Sequence, residues 1–166
     1  MKLRLAILAA ALIATATLAS AQTPEGGMQV KHIQTAKSYI ASGVWAGDTF
    51  YLSGQTATPV TAADPVKGTL AVMGDMKTQA TSVYAKIQKS LQEQGLDMKD
   101  VVKVTVFMAA DPTTGKLAFA EMNGAFAQYF GTKEQPNKPA RSAVQVAALV
   151  APGALLEVEV IAVRQK

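Results

Sequence analysis

Pro139–Leu149, PARSAVQVAAL, and Glu157–Val163, EVEVIAV, decide how this chain is read. In the second stretch and the residue before it, Leu156, Val158, Val160 and Ala162 alternate with Glu157 and Glu159, so one strand face is apolar and the other carries two carboxylates. The pattern predicts strands over Ser142–Leu149 and Leu155–Val163, as neighbours in a sheet. That pairing would set Arg141 beside Glu157. A guanidinium offers a rigid donor fork that matches a carboxylate, which suits a small acid. A glutamate partly withdrawn from water can orient a water or move a proton. Each has a plainer alternative: an arginine paired with a surface acid, and a glutamate on a solvated strand face. Glu159 reads as a surface or intersubunit pairing group.

Working towards the N-terminus, Leu117, Met122, Phe126 and Phe130 recur at helical spacings, and Gly131 stops the pattern. The polar, proline-bearing segment from Lys133 to Pro139 reads as a loop. Val101–Met108 is rich in β-branched residues and reads as a strand. Met76, Ala80, Val83, Ile87 and Leu91 form the apolar stripe of a helix of about 20 residues that begins near Asp75, with Gly95 as its C-terminal stop. Pro59–Gly74 has no sustained period and reads as an irregular excursion. Tyr39–Val44 and Thr49–Ser53 read as antiparallel strands turned at Gly47-Asp48. The resulting order, β-β-α-β-α-β-β, is α+β, with two helices on one face of a mostly antiparallel sheet. The other face could be completed by another subunit.

The N-terminus has the order of a secretory signal peptide: Lys2 and Arg4, an apolar run from Leu5 to Leu18, and the small residues Ala19, Ser20 and Ala21. Cleavage after Ala21 would leave 145 of the 166 residues, with residues 22–29 a flexible tail and 30–166 a single domain. The expected location is the periplasm or outside the cell, with no stable membrane insertion after cleavage. The net charge of +4 falls to +2 once Lys2 and Arg4 are removed, and no basic block is interleaved with aromatics, so nucleic acid is not an expected partner. Cysteine is absent, which excludes disulfides and thiolate chemistry. The single histidine, His32, has no second histidine or clustered carboxylates near it, so no metal site is expected.

Ser53-Gly54-Gln55 ends a strand in a glycine-bearing turn whose backbone N–H groups could receive an anion. Dinucleotide, P-loop, hydrolase-elbow and zinc signatures are missing from the chain. Tyr39 and Asn123 are unremarkable taken singly.

Five ordered blocks give the chain a resemblance to the RidA family, also called YjgF-like. They are YLSGQ at Tyr51–Gln55, DVVKVTVFMA at Asp100–Ala109, FAEMNGAFAQYF at Phe119–Phe130, PARSAV at Pro139–Val144 and LEVEVIAVR at Leu156–Arg164, within a match running from Tyr39 to Arg164. The resemblance implies a chorismate-mutase-like fold, a homotrimer with clefts between subunits, and hydrolysis of small imino or enamine acids to 2-oxo acids and ammonia without a cofactor. It implies roles for Arg141 on the substrate carboxylate and Glu157 on water, and a substrate pocket including Tyr39, Ser53, Gly54 and Asn123. The family's common pocket cysteine is Ala143 here, its usual Gly-Pro is Lys37-Ser38, and the stretch from Thr56 to Asp75 is longer than usual. A further extra residue falls near Pro152. The alternative implied by the same residues is a non-catalytic exported trimer that binds small carboxylates or another protein. A purely structural α+β domain is the plainest option.

Overall fold

Alternating apolar residues in six segments build one sheet in the computed structural model, which describes residues 27–165. The signal-peptide reading of Met1–Ala21 and the first five residues of the tail lie outside the described residues. The strands are β1 (Val30–Ile33), β2 (Gly43–Ala46), β3 (Thr49–Thr56), β4 (Val101–Met108), β5 (Ala140–Gln145) and β6 (Leu156–Val163), in the spatial order β1-β2-β3-β6-β4-β5. Every pair is antiparallel except β4 and β5.

The outer strands depart most from the sequence reading. β1 was not expected as a strand, because its residues are nearly all exposed and show no buried face. Gln29, assigned to the tail, already accepts a hydrogen bond from the Gly47 N–H at 2.9 Å. β2 starts at Gly43 rather than Tyr39, leaving Tyr39 to Ala41 outside the sheet. The Gly47-Asp48 turn is as read, and Gly47 takes the positive φ of 58° that such a tight turn demands. β5 begins two residues early and ends at Gln145. Its partner β4 ends at Met108, whose carbonyl accepts the Val146 N–H at 2.8 Å as the last bond between them.

Strands β5 and β6 are not neighbours, contrary to expectation. β4 lies between them, parallel to β5 and antiparallel to β6. The segment after β4 supplies helix α2 (Phe119–Phe126), a crossover long enough to return the chain parallel to β4. That places β5 on the outer edge. The α2 helix is shorter than the spacing from Leu117 to Phe130 suggests, because residues 127–130 continue only as turns. Phe130 is nonetheless buried, and Gly131 has φ 75°.

Helix α1 (Met76–Gln92) follows its local signals closely. Asp75 caps it, its Oδ1 accepting from the Thr78 N–H at 2.8 Å. At the other end Gly95 has φ 72° and the Leu96 N–H donates to the Leu91 carbonyl at 3.0 Å. The apolar stripe, joined by Tyr84, is buried against Phe50, Leu52, Val104, Val106, Val158 and Val160 of the sheet. Burial of each large side chain contributes about 2 kcal/mol, so this layer supplies most of the driving force for folding.

Gln79 belongs to the same helix and is fully buried without being apolar. Its amide donates to the carbonyls of Gly74 at 2.8 Å and Gly153 at 3.0 Å, and its carbonyl accepts from the Leu155 N–H at 2.8 Å. It therefore ties together α1, the segment before it and the start of β6. The stretch 57–74 is not wholly irregular: bridges Thr61–Val72 and Asp64–Thr69 fold it into a short arm, with Asp64 paired to Lys67 at its tip. Among the described residues no helix is long and apolar enough to cross a membrane.

Candidate functional site

Register alone decides which side chains share a face. Residues directly opposite one another point the same way, so Arg141, paired with Val104, lies on the helix-covered face, as does Val160 across β4. Glu157 is paired with Phe107, which is itself opposite Val144, and these three lie on the uncovered face. Within one chain Arg141 and Glu157 therefore point to opposite sides of the sheet. The alternation of β6 is as read, with Leu156, Val158, Val160 and Ala162 buried.

Arg141 is half-buried between β5 and α2. Its guanidinium carbon stands 4.4 Å from the centre of the Phe126 ring and 5.9 Å from that of Phe119. Such cation–π contacts hold a guanidinium without neutralising it. Nη1 makes a long contact of 3.9 Å with the Met122 sulfur, which also receives the Tyr84 hydroxyl at 3.8 Å. Burial pushes the Tyr84 hydroxyl far above its ordinary pKa, and the nearby positive charge of Arg141 opposes that shift without overcoming it. The phenol is thus a neutral donor. Among the described residues Arg141 has no carboxylate partner. The cation is fixed in direction, and its remaining donors are available to an anion.

On the other side, β3 carries an irregularity between Leu52 and Gln55 that brings Gly54 against Glu157. A Cβ added at Gly54 would fall on the Glu157 carboxylate. Only glycine lets the strand and the carboxylate approach so closely. Thr56, opposite Glu157 in the ladder, has its carbonyl bound by Lys86 Nζ at 2.8 Å. Ser53 donates its hydroxyl to the Ala41 carbonyl at 2.7 Å, tying down the loop that carries Tyr39 two residues earlier. Tyr39 itself is fully exposed.

The predicted residues thus fall into two groups. Ser53, Gly54 and Glu157 sit together, with Tyr39 on the loop anchored by Ser53. Arg141 and Ala143 share the helix-ward side of β5, and Asn123 lies on α2 four residues after Phe119 and three before Phe126, on the stripe that flanks Arg141. Phe119, Met122 and Phe126 were missed as site residues. Their helical spacing signals packing, and nothing local in the sequence shows that they pack on an arginine. A groove of about 630 Å³ between the starts of α1 and α2 contains neither Arg141 nor Glu157. No cluster of three or more potential metal-ligating side chains occurs among the described residues.

Residues 29–164 match the family described as Endoribonuclease L-PSP, to which the RidA and YjgF names also apply. The chain belongs to the RidA/YjgF family. The match begins ten residues before the resemblance seen at Tyr39. A 2-iminobutanoate/2-iminopropanoate deaminase of Bos taurus is 37% identical over 139 residues, covering 81% of this chain and 90% of its own. A RutC family protein of Pyrococcus horikoshii is 35% identical over 125 residues, covering 75% of this chain and 86% of its own. Among solved structures, yeast Mmf1 superimposes with a TM-score of 0.62 at 31% identity, over 82% of this chain and all of the other. A Rid family protein from Yersinia pestis gives 0.61 at 30% identity, over 82% and 100%. The α+β arrangement of this RidA/YjgF chain is therefore that of its solved relatives.

Proposed function

We propose that this chain hydrolyses 2-imino and enamine acids to 2-oxo acids and ammonia, in clefts between the subunits of a homotrimer of chorismate-mutase-like fold. The observation that carries this reading is Arg141: half-buried, aimed by Phe126 and Met122, and without a carboxylate partner among the described residues. The deaminase relatives support the reaction class.

Because Arg141 and Glu157 face opposite ways in one chain, the cleft takes Arg141, Ala143 and Asn123 from one copy and Tyr39, Ser53, Gly54 and Glu157 from the next. The Arg141 fork and the Gly54 backbone clamp the substrate carboxylate. Glu157 accepts a proton from water as its oxygen adds to the imine carbon. The C=N electron pair moves to nitrogen, and the same proton returns to it. Glu157 then passes the carbinolamine hydroxyl proton to the nitrogen, and collapse forms the 2-oxo group, breaks the C–N bond and releases ammonia. An imine is already electrophilic, so orientation and a proton relay used twice suffice. The segment Met1–Ala21 supports export, which would place the reaction in the periplasm or outside the cell.

Complementation tests the shared cleft. Arg141→Ala and Glu157→Gln homotrimers are each expected to be inactive on imino acids generated in situ. Random mixed trimers from a one-to-one refolding should recover about a quarter of wild-type activity, the share of interfaces with both intact halves. Active single variants would sink these residue roles. Inactive single variants with no recovery in verified mixed trimers would sink the two-chain cleft.

A further inference from the structure

The helix-ward face of β5 carries Arg141, Ala143 and Gln145 in a row. Ala143 is opposite Val106, which is fully buried, yet Ala143 itself is exposed. The helical cover therefore stops short of the edge strand, and the smallest side chain of the row lies at the opening. Arg141 and Gln145 are about 13 Å apart along the strand, at roughly 3.3 Å per residue. The exposed Ala143 methyl is the low point between these two longer side chains, the floor of a shallow trough on this face. At its Arg141 end stands Phe119, 42% exposed although aromatic, with its ring centre 5.9 Å from the guanidinium carbon. No charged side chain lies between Arg141 and Gln145 on this face of the strand.

We propose that Ala143 and Phe119 make the site selective for imino acids with bulky apolar side chains, a refinement that rests on the deaminase reading. A carboxylate on Arg141 leaves the substituent on the adjoining carbon over Ala143 and beside Phe119. There a methyl group fills little of the trough. An isobutyl or benzyl group fills it and removes apolar surface from water.

The test compares imines generated in situ from L-alanine, L-leucine and L-phenylalanine by an amino-acid oxidase, each measured against its spontaneous hydrolysis. For the wild-type protein, kcat/KM should be about tenfold or more higher for the leucine and phenylalanine imines than for the alanine imine, the scale of discrimination that several methylenes provide. Ala143→Leu should reduce that ratio about tenfold by filling the trough. Phe119→Ala, on a partly exposed position, should reduce it as well and serves if Ala143→Leu does not fold. Equal or higher kcat/KM for the alanine imine in the wild type, or a ratio unmoved in a folded variant, overturns the selectivity while leaving the deaminase intact. Acceleration of none of the imines defeats the deaminase reading, and the selectivity with it.

Discussion

One absent methyl group governs the position of Glu157. Gly54 is not among the positive-φ glycines, so its backbone would accept alanine, but the added Cβ would land on the end of the Glu157 side chain. A flexible carboxylate can swing aside at small cost. Gly54→Ala should therefore lower stability by less than about 1 kcal/mol, yet, on the proposed role of Glu157, reduce kcat about 100-fold because the carboxylate is moved by roughly an ångström. Urea denaturation and turnover measured on the same preparation check the two halves of that expectation. Equal damage to both would show Gly54 to be a packing residue only. At this scale the alternation that sets Glu157 in an apolar strand was legible in the sequence, and the structure buries its apolar side as read. The aromatic surround of Arg141 was not, since Phe119 and Phe126 carry the same helical spacing whether they face a core or a cation.

Among the elements, α1 depends on its first residue. Hydrogen bonds from the Thr78 side chain and N–H hold the Asp75 carboxyl below its ordinary pKa of 3.8. The folded chain thus binds that proton less readily than the unfolded one. The stabilisation is fully present above about pH 4 and is lost as pH falls through that value towards the folded pKa. Asp75→Ala should cost about 1 kcal/mol, lowering Tm by about 4 °C at pH 7, with the two melting curves converging as pH falls through the lowered folded pKa. Thermal unfolding by circular dichroism across pH 2–7 checks this, and a constant gap at every pH would refute the charged cap. The helix could be read because cap, stripe and stop lie within 21 residues of one another. Strand order could not. Both β5 and β6 show their own patterns, but the insertion of β4 between them is set by pairings more than 30 residues apart, to which alternation is blind. The exposed β1 strand escaped for the converse reason, having almost no buried side to signal it.

For the molecule as a whole, the uncovered sheet face is half apolar, with Tyr51, Phe107, Val144 and Ile161 interspersed among Lys103, Glu157 and Glu159. Val144 is 47% exposed on the outer strand and contributes little to the core. If the proposed trimer forms through this face, Val144→Asp should leave the far-ultraviolet circular dichroism of the chain intact while shifting it from trimer to monomer in light scattering and abolishing turnover. A fully active monomer would contradict the proposed cleft. The placement of Arg141 and Glu157 on opposite faces has one more consequence, for the meaning of specific activity. A cleft divided between copies is created by mass action, so its abundance depends on the concentration of chains. On the proposed two-chain cleft, each folded chain carries two complementary halves that cannot meet one another, and dilution below the self-association constant would extinguish catalysis without unfolding anything.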